Sequence, residues 1–230
     1  MFNGDIKFKG VSSKTYPLTI TSPPKVTHSE IKGDIFSVPG RDGDLYGKKT
    51  YRGSATITVQ MALVSDDYQE TLRTVRSWLS GTGKLILGDV TDSYYEVQRV
   101  VINTDERIIV RYGTLEAVFT VYPYEFLDTG DTGVTTFPIT NGADRSHPLY
   151  KIGGTGSGTL TVNDHAMTFE VNGTLYIDTR RYIAYDGSNN NANGNLSGDY
   201  DGLVLENGSN TISITSGFTL TVYPKWGYII

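Results

Sequence analysis

Between Tyr51 and Leu63 the chain alternates apolar and polar residues with a strict period of two. Ala55, Ile57, Val59, Met61 and Leu63 fall on one face; Thr56, Thr58, Gln60 and Ala62 fall on the other. A helix would scatter these positions around its axis, whereas a strand sends successive side chains to opposite sides of a sheet. A half-buried β-strand must pair with at least one neighbouring strand and cover one face, so the rest of the chain has to supply further strands. Thr114 to Tyr122 repeats the pattern, with Leu115, Ala117, Phe119 and Val121 on one side. Tyr16 to Thr21, Ile35 to Val38 and Lys84 to Leu87 read as shorter strands. Lys25 to Gly33 reads as a polar loop after Pro23-Pro24. Tyr94 to Val101 and Arg107 to Tyr112 read as a hairpin around Asn103-Thr104-Asp105.

One helix interrupts this series. Tyr68, Leu72, Val75 and Leu79 recur at helical spacing and form an apolar stripe, widened by Trp78. Ser65 is the expected N-cap, Asp66 and Asp67 suit the positive end of the helix, and Gly81 can end it. Trp78 is read as a core anchor between helix and sheet.

Asp128 to Thr136 is poor in large apolar groups and rich in turn formers, so it is read as a connection between two domains, 1–136 and 137–230. A chain of 230 residues accommodates both. Beyond the connection no helical pattern returns. Short strands at Leu149 to Ile152, Thr159 to Val162, Met167 to Val171, Leu175 to Asp178, Tyr182 to Tyr185, Thr211 to Ile214 and Phe218 to Tyr223 suggest a jelly-roll β-sandwich. Asn163-Asp164, Asn172-Gly173 and Asn207-Gly208 are the expected turns. Gly187 to Gly198 is expected as a long exposed loop, and the glycines of 153–158 as a bulged or tightly turned strand end. The fold class is therefore mainly β, with one flanking helix in the first domain.

Composition narrows the function. The net charge of −5 gives no basic excess of the kind a nucleic-acid-binding surface shows. The absence of cysteine excludes disulfides and thiolate metal sites. Met1-Phe2-Asn3-Gly4-Asp5 lacks the basic and apolar regions of a signal peptide, and no apolar run approaches the ~20 residues that span a bilayer. Synthesis and folding in cytosol, with no membrane insertion, are expected.

Motifs for catalysis do not emerge. His28, His147 and His165 are not at metal-ligand spacing, and no Ser lies in a G-x-S-x-G elbow. The glycines of 153–158 match neither a dinucleotide fingerprint nor a Walker loop. Gly47-Lys48 lacks the upstream glycine of a Walker loop, because Asp42 stands there. Asp186, Asn190, Asp199 and Asp201 bring oxygen ligands into one loop region, but the EF-hand spacing is not met and such residues serve turns. No two carboxylates are placed for glycoside hydrolysis. The reading is no enzyme, no cofactor and no metal. Trp226 and Tyr228 are the candidate stacking residues for a sugar ring, with Trp226 packing over the end of the sandwich as the alternative.

The loop Val38-Pro39-Gly40-Arg41-Asp42-Gly43 is the remaining motif. Pro39 restricts Val38 to extended backbone, and the glycines accept positive φ. Arg41 and Asp42 are thus held on a sharp bend, with Lys48 and Lys49 further along the arm. Alone this is a hairpin connection.

In order along the chain, however, a set of features accumulates: Phe2-Asn3-Gly4; Asp34 to Gly43 with its Val-Pro-Gly-Arg-Asp-Gly; the helix ending Trp78-Leu79; Gly88-Asp89 with Tyr94-Tyr95; and Tyr122-Pro123-Tyr124. Pro148-Leu149-Tyr150-Lys151-Ile152, Ile177-Asp178 and Tyr223-Pro224-Lys225-Trp226 follow. This set resembles the distal tail protein (Dit) family of long non-contractile-tailed bacteriophages, especially those of Gram-positive hosts.

The resemblance implies a structural hub at the distal tail tip or baseplate of the virion. It implies a tail-tube-like N-terminal β-sandwich or barrel that forms a homohexameric ring, and a galectin-like C-terminal sandwich. The implied partners are the tail tube protein, the tail-tip protein and receptor-binding or other baseplate proteins, with genomic DNA crossing the lumen unbound. Pro39, Gly40, Arg41, Asp42 and Gly43 become candidate subunit-interface residues, with Arg41 able to pair bidentately with a carboxylate across the interface. A carbohydrate-binding module for host adhesion and a tail tube subunit are the competing readings.

Overall fold

The structure, a computed structural model, describes residues 4–88 and 90–230. Phe2-Asn3 and Asp89 of the ordered set, and the side chains of Lys48 and Lys49, lie outside the described residues. The chain divides into two compact units. The first runs to Glu125 and also takes Ile229 and Ile230; the second spans Phe126–Tyr228.

The first unit contains β1 (Ile6–Phe8), β2 (Val11–Ser12), β3 (Leu18–Ile20), β4 (Lys25–Thr27), β5 (Ile31–Phe36), β6 (Leu45–Arg52) and β7 (Ala55–Val64). After these come α1 (Tyr68–Trp78), β8 (Gly83–Leu87), β9 (Ser93–Ile109) and β10 (Tyr112–Leu127), the last continuing into the second unit. Its main sheet has the order β2-β1-β8-β9-β10-β7-β3, with β4 beside β3 on β7. β5 and β6 form a separate two-stranded sheet. The period-two reading of β7 and β10 holds in register: Met61 faces Leu115, Val59 faces Ala117 and Ile57 faces Phe119, and all six are buried. Ala62, expected outward, is buried as well.

The helix lays Tyr68, Leu72, Val75 and Trp78 on this core. Its N-cap is Asp67, whose carboxylate accepts from the Glu70 amide at 3.4 Å. Ser65 is not the cap, because its hydroxyl bonds Thr71 Oγ1 at 2.8 Å and its amide donates to Arg111 O at 2.9 Å. Trp78 joins three elements: its indole donates to Phe8 O at 3.2 Å and its ring packs on Phe8 and Tyr16.

Several strand boundaries differ from the sequence reading. Lys25 to Gly33 is not a loop; β4 and the start of β5 occupy it, since an edge strand needs backbone partners and not apolar side chains. The hairpin around Asn103-Thr104-Asp105 does not exist: β9 runs straight through, and the turn is at Val110-Arg111. There the Arg107 guanidinium donates to the carbonyls of Ile109 and Val110, so a side chain satisfies the turn that Asn and Asp were expected to make. Pro123 does not close β10, which continues to Leu127.

The second unit holds β11 (Ile139–Asn141), β12 (Leu149–Val162), β13 (His165–Asp178), β14 (Ile183–Asp186), β15 (Leu196–Ser197), β16 (Gly208–Asn210), β17 (Ile212–Ile214), β18 (Thr219–Tyr223) and β19 (Gly227–Ile229), whose last residue belongs to the first unit. The large sheet is ordered β14-β13-β12-β17, with β18 also on β12 and β15 on β13; β11 and β16 pair separately. Tyr150, Ile152, Leu160, Met167, Phe169 and Ile177 form its core, joined by Leu203 and Leu205. Burial lifts the Tyr150 hydroxyl well above its ordinary pKa, and it donates to Leu203 O at 2.7 Å.

Four expected strands are two here. β12 and β13 pair without a break from Leu149↔Asp178 to Val162↔His165. Asn172-Gly173 lies inside this ladder opposite Thr155 and Gly154, so it is not a turn. The glycines of 153–158 are mid-strand, because a Cβ on Gly154 or Gly158 would strike Phe218 or Phe169. The expected interdomain connection at 128–136 lies within the second unit, where Val134 pairs with Val222 through two 2.8 Å bonds. The chain leaves the first unit earlier, at Glu125, and Ile230 returns to it. There the Ile230 amide donates to Pro123 O at 3.2 Å, and its side chain is buried in the first core. No helix among the described residues is long and apolar enough to cross a membrane.

His147 supplies a pH test of the second unit. Burial, followed by the charge of Arg145, holds its imidazole below its ordinary pKa of 6.5. The folded state therefore prefers neutral His147. The associated stability is present above the unfolded pKa and is lost as pH falls below it toward the depressed folded value. Thermal unfolding of the second unit should be earlier at about pH 5.5 than at about pH 7.5, and His147→Gln should shrink the difference. An undiminished pH effect in the variant would assign it to other groups.

Candidate functional site

The Pro39 loop is built as its residues dictate. Val38 O accepts from the Arg41 amide at 3.1 Å, closing a four-residue turn with Pro39 second and Gly40 third. Gly40 has φ +84°, the conformation a type II turn requires of its third residue. Gly43 has φ +80° and re-aims the chain into β6. Arg41 and Asp42 are exposed on this bend, and neither side chain has a hydrogen-bond or ion-pair partner among the described residues. The expected hairpin connection is thus present, and it offers a guanidinium and a carboxylate outward.

The two strands that carry the loop are equally unsupported. Their register runs from Ile31↔Arg52 to Phe36↔Leu45, with a shift between Gly33 and Ile35. None of their described side chains belongs to the first unit's core. Ile31, Phe36, Val38, Leu45 and Tyr51 are all exposed, Tyr51 by 67%. A two-stranded hairpin is marginal in water by itself, and a run of exposed large apolar groups marks an interaction surface.

A second apolar patch, absent from the sequence reading, lies at the tip of β9 and β10. Ile108, Ile109 and Val110 are 54%, 63% and 70% exposed, and Val64, which pairs with Tyr112 beside the turn, is 56% exposed. The available signal was three apolar residues in succession immediately before Arg111. At this tip Arg107 and Arg111 are engaged, Arg107 with its own turn and Arg111 with Asp66 at 3.1 Å. Glu106 is exposed and has no side-chain partner among the described residues.

The other sequence candidates are dispersed. Trp226 packs against the second core, while Tyr228 is 47% exposed. Asp186 accepts from the amides of Ser188 and Asn190 and from the Asn190 side chain, and these bonds, the Asn190 side chain first, lower its pKa. Asp199 caps Asp201, and Asp201 accepts from Tyr182, whose hydroxyl is thereby pushed up to about 12. Each of these carboxylates serves local structure. Among the described residues no group of three or more His, Asp or Glu converges as metal ligands. A groove of about 540 Å³ over β12, β13 and β15 presents the hydroxyls of Ser157, Thr159, Thr168 and Ser197. Glu170 is its one acidic residue, so the groove lacks the second carboxylate that glycoside hydrolysis uses.

Comparison with solved structures matches both units at once. The chain superposes on the crystal structure of the SPP1 Dit (gp 19.1) protein, described as a paradigm of the hub adsorption apparatus in phages infecting Gram-positive bacteria. The TM-score is 0.70 at 12% identity, covering 95% of this chain and 97% of that one. The likeness establishes a Dit-like fold, mostly strand with one helix. No protein-family model matches the sequence, and no curated protein does either.

Proposed function

We propose that this chain is a structural hub of a phage tail tip. Six copies form a closed ring through the first unit, which joins the last ring of the tail tube to the tail-tip protein. The second unit is a galectin-like sandwich on the outside that anchors receptor-binding or other baseplate proteins. Genomic DNA crosses the lumen. The protein acts by assembly and has no catalytic role.

The observation that carries this reading is the Dit-like fold across nearly the whole of both chains. Three features support it. The β5–β6 hairpin exposes apolar side chains that no core of this chain covers. Among the described residues β2 at one end of the first unit's sheet, and β3 and β4 at the other, have no further strand beside them, and ring formation can pair such edges. The net charge of −5 suits a conduit that must let phosphates pass without gripping them.

Negative-stain microscopy of the purified protein, alone and with the tail-tip protein, tests the proposal: closed six-fold rings are expected. Filaments would favour the tail tube reading, and monomers under both conditions would overturn the hub. Arg41→Ala should weaken the ring, since its guanidinium is exposed, has no partner among the described residues and can pair with a carboxylate of the next copy. Sedimentation velocity should show a shift toward smaller species, by roughly 10-fold in dissociation constant if one charge-assisted contact is lost. Unchanged sedimentation would remove Arg41 from the interface.

A further inference from the structure

We infer that the contact between copies is heterologous, with the β5–β6 hairpin of one copy docked on the β9–β10 tip of the next. This rests on the ring reading above and assigns its two faces.

The argument begins from the two apolar patches of the first unit. They lie on different hairpins, one spanning Ile31 to Arg52 and the other turning at Val110-Arg111. Both remain uncovered by the chain's own core. A two-fold contact of hairpin against hairpin would use one patch twice, close at two copies and leave Ile108, Ile109 and Val110 in water. A ring needs two different surfaces on each copy, one for each neighbour. Head-to-tail docking is the arrangement in which every hairpin and every tip is covered, and that condition is met only when the ring closes.

The area is adequate. The nine side chains of the two patches are between 37% and 70% exposed. With whole side chains on the order of 150–200 Å², they present about 800 Å² of apolar surface. A stable interface buries ~1,200–2,000 Å² with a little over half of it apolar, which requires about 700–1,100 Å². Either patch alone falls well short. The rims also hold charges without partners among the described residues: Glu106 at the tip, and Arg41 and Arg52 with Asp42 and Asp44 on the hairpin, so the register that sets a guanidinium and not a carboxylate beside Glu106 is favoured. Docking places guanidinium groups near a carboxylate and fixes orientation more than it adds affinity.

The test uses two full-length double variants at exposed positions. Phe36→Ser with Leu45→Ser removes the hairpin patch; Ile109→Ser with Val110→Ser removes the tip. Circular dichroism should show both folded like the parent. Each variant alone should lose the ring in sedimentation velocity, with the contact weakened by roughly 100-fold, as for loss of interface hot spots. An equimolar mixture restores one intact contact, the hairpin of the tip variant on the tip of the hairpin variant, so it should form heterodimers and stop there.

Rings from the tip variant alone, or a mixture that stays monomeric, would overturn the heterologous contact while leaving the hub reading in place. Absence of rings in the unmodified protein with its tail-tip partner would overturn both.

Discussion

Trp78→Ala should destabilise the first unit by about 4 kcal/mol, within the range for removing a buried aromatic. Trp78 is 5% exposed and is the point where α1, β1 and the segment before β3 meet. Deleting the indole opens a cavity between Phe8 and Tyr16 and also removes the donor to Phe8 O. The remaining stripe of Tyr68, Leu72 and Val75 still binds the helix to the sheet, so the effect is loss of stability and not loss of the helix. Trp78→Phe should fall between, at about 1–2 kcal/mol, because it restores much of the packing but leaves the hydrogen bond unmade. Urea unfolding followed by helical circular dichroism measures both. A cost below about 1 kcal/mol for the alanine variant would mean that the helix is held elsewhere.

The exposed apolar groups of the two hairpins lie outside the core that Trp78 anchors, which separates two kinds of variant. Substitutions at Trp78 lower the stability of each copy. Substitutions at Arg41, Phe36 or Ile109 change exposed groups and leave the core untouched, so under the proposed assembly they are expected to act on association.

What the sequence disclosed follows from how local each feature is. β7 and β10 were legible because one face of each is buried and the other solvated, so burial writes a period of two directly into the residues. The helix was legible through its stripe, although its cap was placed two residues early, since Ser65 and Asp67 both suit an N-cap and the difference lies in which partners the tertiary structure offers. The Pro39 turn was legible because only Pro and Gly meet its backbone requirements cheaply. The long β12 and β13 were not. Gly153, Gly154, Gly156 and Gly158 carry no side-chain signal, and their positions follow from Thr219, Phe218 and Phe169 in contact with them. The return of Ile230 to the first core was equally hidden, because it depends on a partner more than a hundred residues away in sequence. The Ile108-Ile109-Val110 tip was misleading for the opposite reason. An apolar run at a strand end reads as buried, and only the structure shows that this one faces water. Of the candidate interface, therefore, the turn was in the sequence and its apolar counterpart was not.

Gly130→Ala should destabilise the second unit by about 3 kcal/mol, at the upper end of the range for overpacking. A composition-based view makes Gly130 a linker residue, at which alanine would be neutral or mildly stabilising by stiffening the unfolded chain. The structure gives the opposite sign. A Cβ at Gly130 would lie 2.3 Å from the backbone nitrogen of Trp226 and 3.0 Å from the carbonyl carbon of Lys225. These are main-chain atoms and cannot swing aside as a side-chain end can. Around this approach the two segments are tied closely. Leu127 N donates to Trp226 O at 2.9 Å, Lys225 N donates to Gly130 O at 2.9 Å, and Lys225 Nζ pairs with Asp131 Oδ1 at 2.6 Å. The methyl group must push the segments apart and stretch these bonds together, where a surface ion pair alone would contribute little. Trp226 lies at the contact and reports on it. Fluorescence of a Trp78→Phe background, in which Trp226 is the remaining indole, should show the Gly130→Ala unfolding midpoint displaced to lower urea while α1, followed by circular dichroism, melts as in Trp78→Phe alone. An unchanged or raised midpoint would return residues 128–136 to the role of a passive connection.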